Sequence, residues 1–236
     1  MEFVLEPQEA TTVPVRLNSQ AQANEQSPRF PVHRIYCVGR NYSEHVKEMG
    51  GDPMQEPPVF FSKPASACVI FDRDVVYPQA TDNLHYEVEL VVALKSGGKD
   101  ISLDAALDCV YGYAVGIDFT RRDLQDIAKN SGRPWDVAKG FDQSAPISAI
   151  LPADQVGELG DAEICLKLNG EIRQQASLSD MIWSVPEIIS ELSGFFELKS
   201  GDIIYTGTPS GVAAVSKGDR LQASVDGIGK LDFRIV

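Results

Sequence analysis

The sequence predicts an α+β fold that is mostly β, on three observations. Runs rich in β-branched and aromatic residues recur along the chain, as in VFFSKP, HYEVELVVAL and VYGYAVGIDFT, a composition that packs well on a pleated, half-buried surface. Helical patterns are few, and they do not alternate with the strands as a parallel βαβ sheet requires. Turn residues punctuate the second half at short intervals, including Asn169-Gly170 between two alternating segments, the signature of a two-residue hairpin. With 236 residues, 43% hydrophobic and 23% charged, the chain is long enough to bury a substantial core and is ordinary for a soluble globular protein.

Residues 18–29, NSQAQANEQSPR, are the one strongly polar run. They divide a short arm or hairpin over 1–30 from a single domain over 31–236. VHRIYCVG reads as the first strand of that domain. GRNYSEHVKEM follows as a short helix, with Asn41 as N-cap and Glu44 in the capping-box place, and Gly-Gly-Asp-Pro at 50–53 ends it. VFFSKP, ACVIF, HYEVELVVAL and VYGYAVGIDFT are the next strands. Residues 121–130 form a helix, and WSVPEIISELSGFF forms another, with Ser184 as N-cap and Glu187 completing its capping box. LKLNGEIRQ is the hairpin, and GDIIYTGTPSGV and GDRLQASVDGIGKLDFRIV return to strands broken by glycine.

The formal net charge of −13, with no basic run, excludes a nucleic-acid partner, which needs a Lys/Arg footprint on phosphate. It argues equally against an anionic membrane surface. No segment has signal-peptide character and none approaches ~18 uninterrupted apolar residues, so a cytoplasmic location is expected. Cys37, Cys68, Cys109 and Cys165 show neither zinc-site nor redox spacing and read as reduced, buried thiols.

Glu87 and Glu89 share one face of an extended segment, roughly 6 to 7 Å apart, where their repulsion costs on the order of 2.5 kcal/mol at an effective dielectric near 20. Water, a shared proton, a nearby Lys or Arg, or a divalent cation would each offset it. His45 and Glu48, three apart on one helical face, place a carboxylate where it can orient an imidazole and raise its basicity, although an exposed amphipathic turn has the same pattern. Asp118 ends an apolar strand, as a turn residue or a third carboxylate. Lys139 follows an apolar stretch and either snorkels to solvent or serves a site. TGTPSG at 206–211 is a tight turn without phosphate-loop spacing, and neither a G-x-S-x-G elbow nor H-E-x-x-H is present.

Taken jointly, CVGRNYSEHVKEM, PPVFFSKP, HYEVELVVAL, VGIDFTRRDLQ, PWDVAKGFDQSAP, LNGEIRQ, IIYTGTPSGV and GKLDFRIV resemble the fumarylacetoacetate hydrolase superfamily, over nearly everything from Val32 to Val236. The single-domain form and the wording of residues 30–64 are closest to its bacterial fumarylpyruvate hydrolases, whose relatives include acylpyruvases and oxaloacetate decarboxylases. The resemblance implies a mixed-sheet β-roll core with a few short helices. Carried over position by position, it implies that Glu87, Glu89 and Asp118 bind Mg2+ or Mn2+. It makes His45 and Glu48 a water-activating dyad on a segment that closes as a lid, and Lys139 a contact to substrate oxygens. Gln125 and Thr208 match substrate-binding positions, and Arg40, beside the dyad helix, is a further carboxylate partner. A homodimer is implied as well. One departure is Val38, which stands where the founding two-domain enzyme carries a fourth metal carboxylate.

Three protein carboxylates leave about half of an octahedral shell for water and substrate, which favours a small anionic 2-oxo acid bound through carboxylate and keto oxygens. The implied activity is hydrolysis of a C–C bond in an acylpyruvate, with fumarylpyruvate giving fumarate and pyruvate as the first candidate. An oxaloacetate decarboxylase or keto-acid isomerase is the alternative within enzymes, and a non-catalytic metal- or metabolite-binding protein the alternative outside them.

Overall fold

The computed structural model describes residues 4–6, 9–17, 22–48, 50, 57–157 and 159–236. Part of the polar run (18–21) and most of the 50–53 break lie outside the described residues. The fold is α+β and mostly β, built from mixed sheets with short helices, as expected.

A six-stranded sheet forms the centre, in the order Leu151–Pro152, Val110–Ile117, Val88–Leu94, Ile203–Tyr205, Ile35–Gly39, Val59–Lys63. It is mixed because Ile203–Tyr205 runs parallel to Ile35–Gly39 and antiparallel to Val88–Leu94. Val88–Leu94 is buried at every position, so both faces of this strand are covered, which explains the apolar run from Leu90 to Leu94. One face packs on a four-stranded antiparallel sheet (Glu163–Leu168, Glu171–Ser177, Arg220–Val225, Gly229–Arg234) and on the helix Val185–Phe195, around Leu90, Val92, Ile164, Ile188 and Phe233. The other face carries a second core that includes Val91, Ala93, Ile147 and Tyr205. Val13 and Phe30 join that core from two short strands, Thr12–Pro14 and Arg29–Pro31, which pair antiparallel.

The hairpin turns at Asn169 (φ 53°) and Gly170 (φ 87°), the left-handed pair a type I′ turn demands. The helix Val185–Phe195 starts at Ser184, whose N–H and hydroxyl both donate to Glu187 Oε2 (2.8 and 2.6 Å). The other predicted helix spans Arg122–Ser131 and stops at Gly132 in the left-handed conformation (φ 62°).

Three local expectations are corrected. The dyad helix is Ser43–Glu48, and Asn41 does not cap it. Asn41 is fully buried, accepting from Trp183 N–H (2.7 Å) and donating to the carbonyls of Trp183 (2.9 Å) and Thr206 (2.7 Å), three distant bonds that outcompete a local cap. HYEVELVVAL is two strands, Leu84–Tyr86 and Val88–Leu94, that belong to different sheets. VYGYAVGIDFT is likewise split, into Val110–Ile117 and Thr120–Arg121.

Candidate metal centre and active site

Those two breaks place the carboxylates. Leu84–Tyr86 pairs with Thr120–Arg121 in a three-stranded sheet, whereas Val88–Leu94 pairs with Val110–Ile117 in the central one. Glu87 and Asp118 lie where the two neighbouring strands pass together from one sheet to the other, joined by Asp118 N–H donating to the Glu87 carbonyl (2.8 Å). Glu89 sits two residues further, opposite Gly116. All three are buried, and each offers an oxygen within 4.8 Å of the others.

Three cations face this cluster among the described residues. Lys139 Nζ lies 2.8 Å from Glu87 Oε2 and 2.7 Å from Asp118 Oδ2, and Arg122 Nη2 lies 2.5 Å from Glu87 Oε1. Lys63 Nζ is 2.8 Å from Asp118 Oδ1 and also donates to the carbonyls of Phe119 and Lys139. Lys139 is buried rather than snorkelling, at 3% exposure. Burial opposes its charge, yet Asp118 and Glu87 outweigh that and push its pKa up to about 12. Burial likewise opposes ionisation of Glu87, but Lys139 and Arg122 hold its carboxyl well below the usual range. Among the described residues Glu89 has no cation in contact. Burial, reinforced by Asp118 and Glu87, pushes its carboxyl well above the usual range, against one backbone hydrogen bond from Gly207 (2.8 Å).

The donor set fits a hard divalent cation. Three buried carboxylates whose oxygens converge within 4.8 Å are the oxygen ligands Mg2+ and Mn2+ take.

A cleft of about 30 Å3 opens over the cluster, lined by Arg40, His45, Glu87, Glu89, Gln125, Lys139 and Thr208, together with Val38, Phe61, Arg122, Lys129 and Trp135. Every sequence-predicted site residue except Glu48 and Asp118 thus lines one cleft; Glu48 contacts the lining His45, and Asp118 completes the carboxylate cluster. His45 Nδ1 is 3.1 Å from Glu48 Oε2, and Glu48 is anchored from the other side by Gly211 N–H (3.3 Å). Gln125 Oε1 accepts from Arg122 (2.6 Å). Arg40 holds φ 63°, unusual for a side-chain-bearing residue, beside the dyad helix. Val38 is buried in the wall and offers no ligand. A larger cavity of about 600 Å3 lies elsewhere, between Arg16 and the 226–230 turn, and none of the carboxylates reaches it.

TGTPSG, legible in the sequence only as a turn, is the hub of the site. Gly207 N–H holds Glu89, Thr208 lines the cleft, and Gly211 N–H holds Glu48. Gly207 (φ 99°) and Gly211 (φ 97°) are in the left-handed region, and a Cβ on Gly211 would stand 2.0 Å from the Arg173 carbonyl oxygen. The sequence reading assigned no role to Arg122, Lys63, Trp135 or Gln174. An Arg opening the helix that follows a candidate ligand, and a Lys closing an apolar strand, were the available signals for the first two.

The model of the fumarylacetoacetate (FAA) hydrolase C-terminal domain matches residues 34–236. The chain therefore belongs to the fumarylacetoacetate hydrolase family. The rat mitochondrial oxaloacetate tautomerase FAHD1 is 44% identical over 201 residues, 85% of this chain and 90% of the relative. The crystal structure of fumarylpyruvate hydrolase from Pseudomonas aeruginosa in complex with Mn2+ and pyruvate is 46% identical, with a TM-score of 0.92 over 100% of this chain and 99% of that one. The 2-hydroxyhepta-2,4-diene-1,7-dioate isomerase from Mycobacterium marinum is 30% identical, with a TM-score of 0.76 over 91% and 82% of the two chains.

Proposed function

We propose that this protein hydrolyses a C–C bond of an acylpyruvate in a Mg2+- or Mn2+-dependent reaction, with fumarylpyruvate as the first candidate substrate. The observation that carries the reading is the His45–Glu48 dyad opening onto the same cleft as the Glu87–Glu89–Asp118 cluster. The Mn2+ and pyruvate complex of the similar Pseudomonas protein supports it. Glu87, Glu89 and Asp118 would hold the ion, which when bound supplies Lewis acidity toward the keto and carboxylate oxygens of a 2-oxo acid.

With Nδ1 engaged by Glu48, Nε2 of His45 is left to take a proton from water, and Glu48 stabilises the imidazolium. The water oxygen adds to the distal carbonyl carbon of the substrate. The bond from that carbon to the methylene then breaks, its electron pair passing to the enolate of pyruvate, which takes a proton at the methylene carbon. Lys139 and Arg122 place positive charge beside the oxygens that gain negative charge, in a dry site where such charge counts most. Gln125, Thr208 and Arg40 orient the bound acid. The cleft is smaller than an acylpyruvate, so lining side chains must yield, and the short dyad helix is the element we assign to that movement. We further propose residues 31–236 as the catalytic domain, a homodimeric assembly and a cytoplasmic location. Among the described residues no helix is long and apolar enough to cross a membrane.

The test is incubation of the Mg2+-loaded protein with fumarylpyruvate. Loss of the dioxo-acid absorbance with release of fumarate and pyruvate is expected, and its absence rejects this substrate. A second reading, oxaloacetate tautomerisation, is favoured by the identity to the rat protein. It moves a proton between carbon and oxygen and needs no attacking water, and oxaloacetate decarboxylation needs only the electron sink. His45→Ala is expected to slow hydrolysis by about 10²- to 10⁴-fold. Turnover of the preferred substrate that survives His45→Ala would move the assignment to one of these.

A further inference from the structure

Gln174 is a fully buried amide on a strand, Glu171–Ser177, whose other side chains are mostly exposed. A buried amide must satisfy its donors and its acceptor, and this one does so at a telling place. Its Oε1 accepts from Val88 N–H (3.0 Å), the peptide between Glu87 and Glu89. Its Nε2 donates to Thr208 Oγ1 (2.8 Å) and to the Pro209 carbonyl (2.8 Å).

The orientation of this amide is not free to flip. Val88 N–H can only donate and the Pro209 carbonyl can only accept, so oxygen must face the first and nitrogen the second. Thr208 Oγ1, beside Pro209, is therefore obliged to accept. A threonine hydroxyl has one proton and two lone pairs. With one lone pair taken by Gln174, the proton must leave in another direction, and among the described residues it reaches no protein acceptor. Thr208 lines the cleft with Glu87, Glu89, Lys139 and Gln125.

We propose that Gln174 is a positioning residue that fixes Thr208 as a hydrogen-bond donor into the cleft, selecting ligands that present an anionic oxygen there. The proposal rests on the 2-oxo acid reading of the site. Through Val88 the same amide joins the Gly207 N–H bond to Glu89 in tying the carboxylate-bearing strand to the turn that carries this donor.

The test is calorimetric titration of pyruvate into the Mn2+-loaded protein for wild type, Thr208→Val, Thr208→Ser, Gln174→Met and the Thr208→Val/Gln174→Met double variant, with Mn2+ affinity measured separately. Thr208→Val is expected to weaken pyruvate about tenfold, the cost of one hydrogen bond to a charged group, with Mn2+ affinity unchanged. Thr208→Ser should bind as wild type. Gln174→Met should weaken pyruvate as well, but add little in the Thr208→Val background, because the two act as one unit. In turnover the Thr208→Val loss should fall on KM and spare kcat, since the bond exists in ground and transition states alike. Independent, multiplying effects of the two substitutions would overturn the proposal, as would Thr208→Val binding pyruvate like wild type, a result that stands whether or not Gln174→Met folds. Failure of the wild-type Mn2+ protein to bind pyruvate at all would instead overturn the 2-oxo acid reading, and this inference with it.

Discussion

Glu87 and Glu89 are two residues apart, yet their surroundings give them opposite roles in stability. Glu87 is bound by Lys139 and Arg122, so Glu87→Gln strips two buried cations of a partner. We expect a loss of about 3 kcal/mol, at the low end for breaking a buried pair because Lys139 keeps Asp118. Glu89 faces two carboxylates with no cation in contact among the described residues, and burial, reinforced by those carboxylates, raises its pKa. An acid whose folded pKa lies above its unfolded one contributes stability at low pH and loses it as pH rises through the folded value. Metal-free Glu89→Gln should therefore match or exceed wild type in thermal stability, by a margin that grows with pH, while Mn2+ affinity and activity fall together. Melting curves of the two metal-free variants across pH check this. A Glu89→Gln protein with wild-type metal dependence would refute its placement as a ligand.

Among the elements, the helix Val185–Phe195 shows how a local signal survives folding. Ser184 and Glu187 lie three apart, and their bonds form whatever the rest of the chain does. Those bonds hold the Glu187 carboxyl below its usual range, against a smaller opposing effect of burial. Its contribution is thus present at neutral pH and lost as pH falls through the folded pKa. Glu187→Gln should cost about 1 kcal/mol at pH 7, the usual worth of a cap, and the gap to wild type should close in acid. Urea unfolding at the two pH values measures it. Asn41 carried the same kind of local signal and went elsewhere, because Trp183 and Thr206 offered three bonds where the helix offered one. HYEVELVVAL read as one strand because its apolar pattern is unbroken. Nothing in that pattern shows that Tyr86 and Val88 join different sheets.

On the scale of the whole molecule, a metal held by Glu87, Glu89 and Asp118 would be a ligand of the folded state alone, since the three carboxylates converge only across two sheets. Mg2+ should raise the melting temperature with concentration, by about 2.7 kcal/mol at a hundredfold excess over Kd, or roughly 5 to 11 °C for a domain of this size. A melting temperature indifferent to Mg2+ and Mn2+ would count against the site. The metal-free protein also differs from the picture of three carboxylates repelling one another unchecked. Lys63, Lys139 and Arg122 already balance the cluster, so a divalent ion leaves the cleft with net positive charge. An acidic protein can in this way receive an acidic substrate.

What the sequence by itself determined is what acts over short separations or through residue type. It specified the β-rich composition, the Asn169-Gly170 hairpin, the Ser184–Glu187 cap and the His45–Glu48 spacing, together with a supply of oxygen ligands suited to a hard cation. Which charges meet was decided only by the tertiary structure. Glu89 is held from 118 residues away, Glu48 from 163, and Glu87 by Arg122 and Lys139 at separations of 35 and 52. Side chains so far apart in the chain have no local preference for one another. They meet because two strands change sheets at the same level and a glycine turn closes over the gap, and burial there converts an ordinary pair of glutamates into one carboxylate held ionised and one held back.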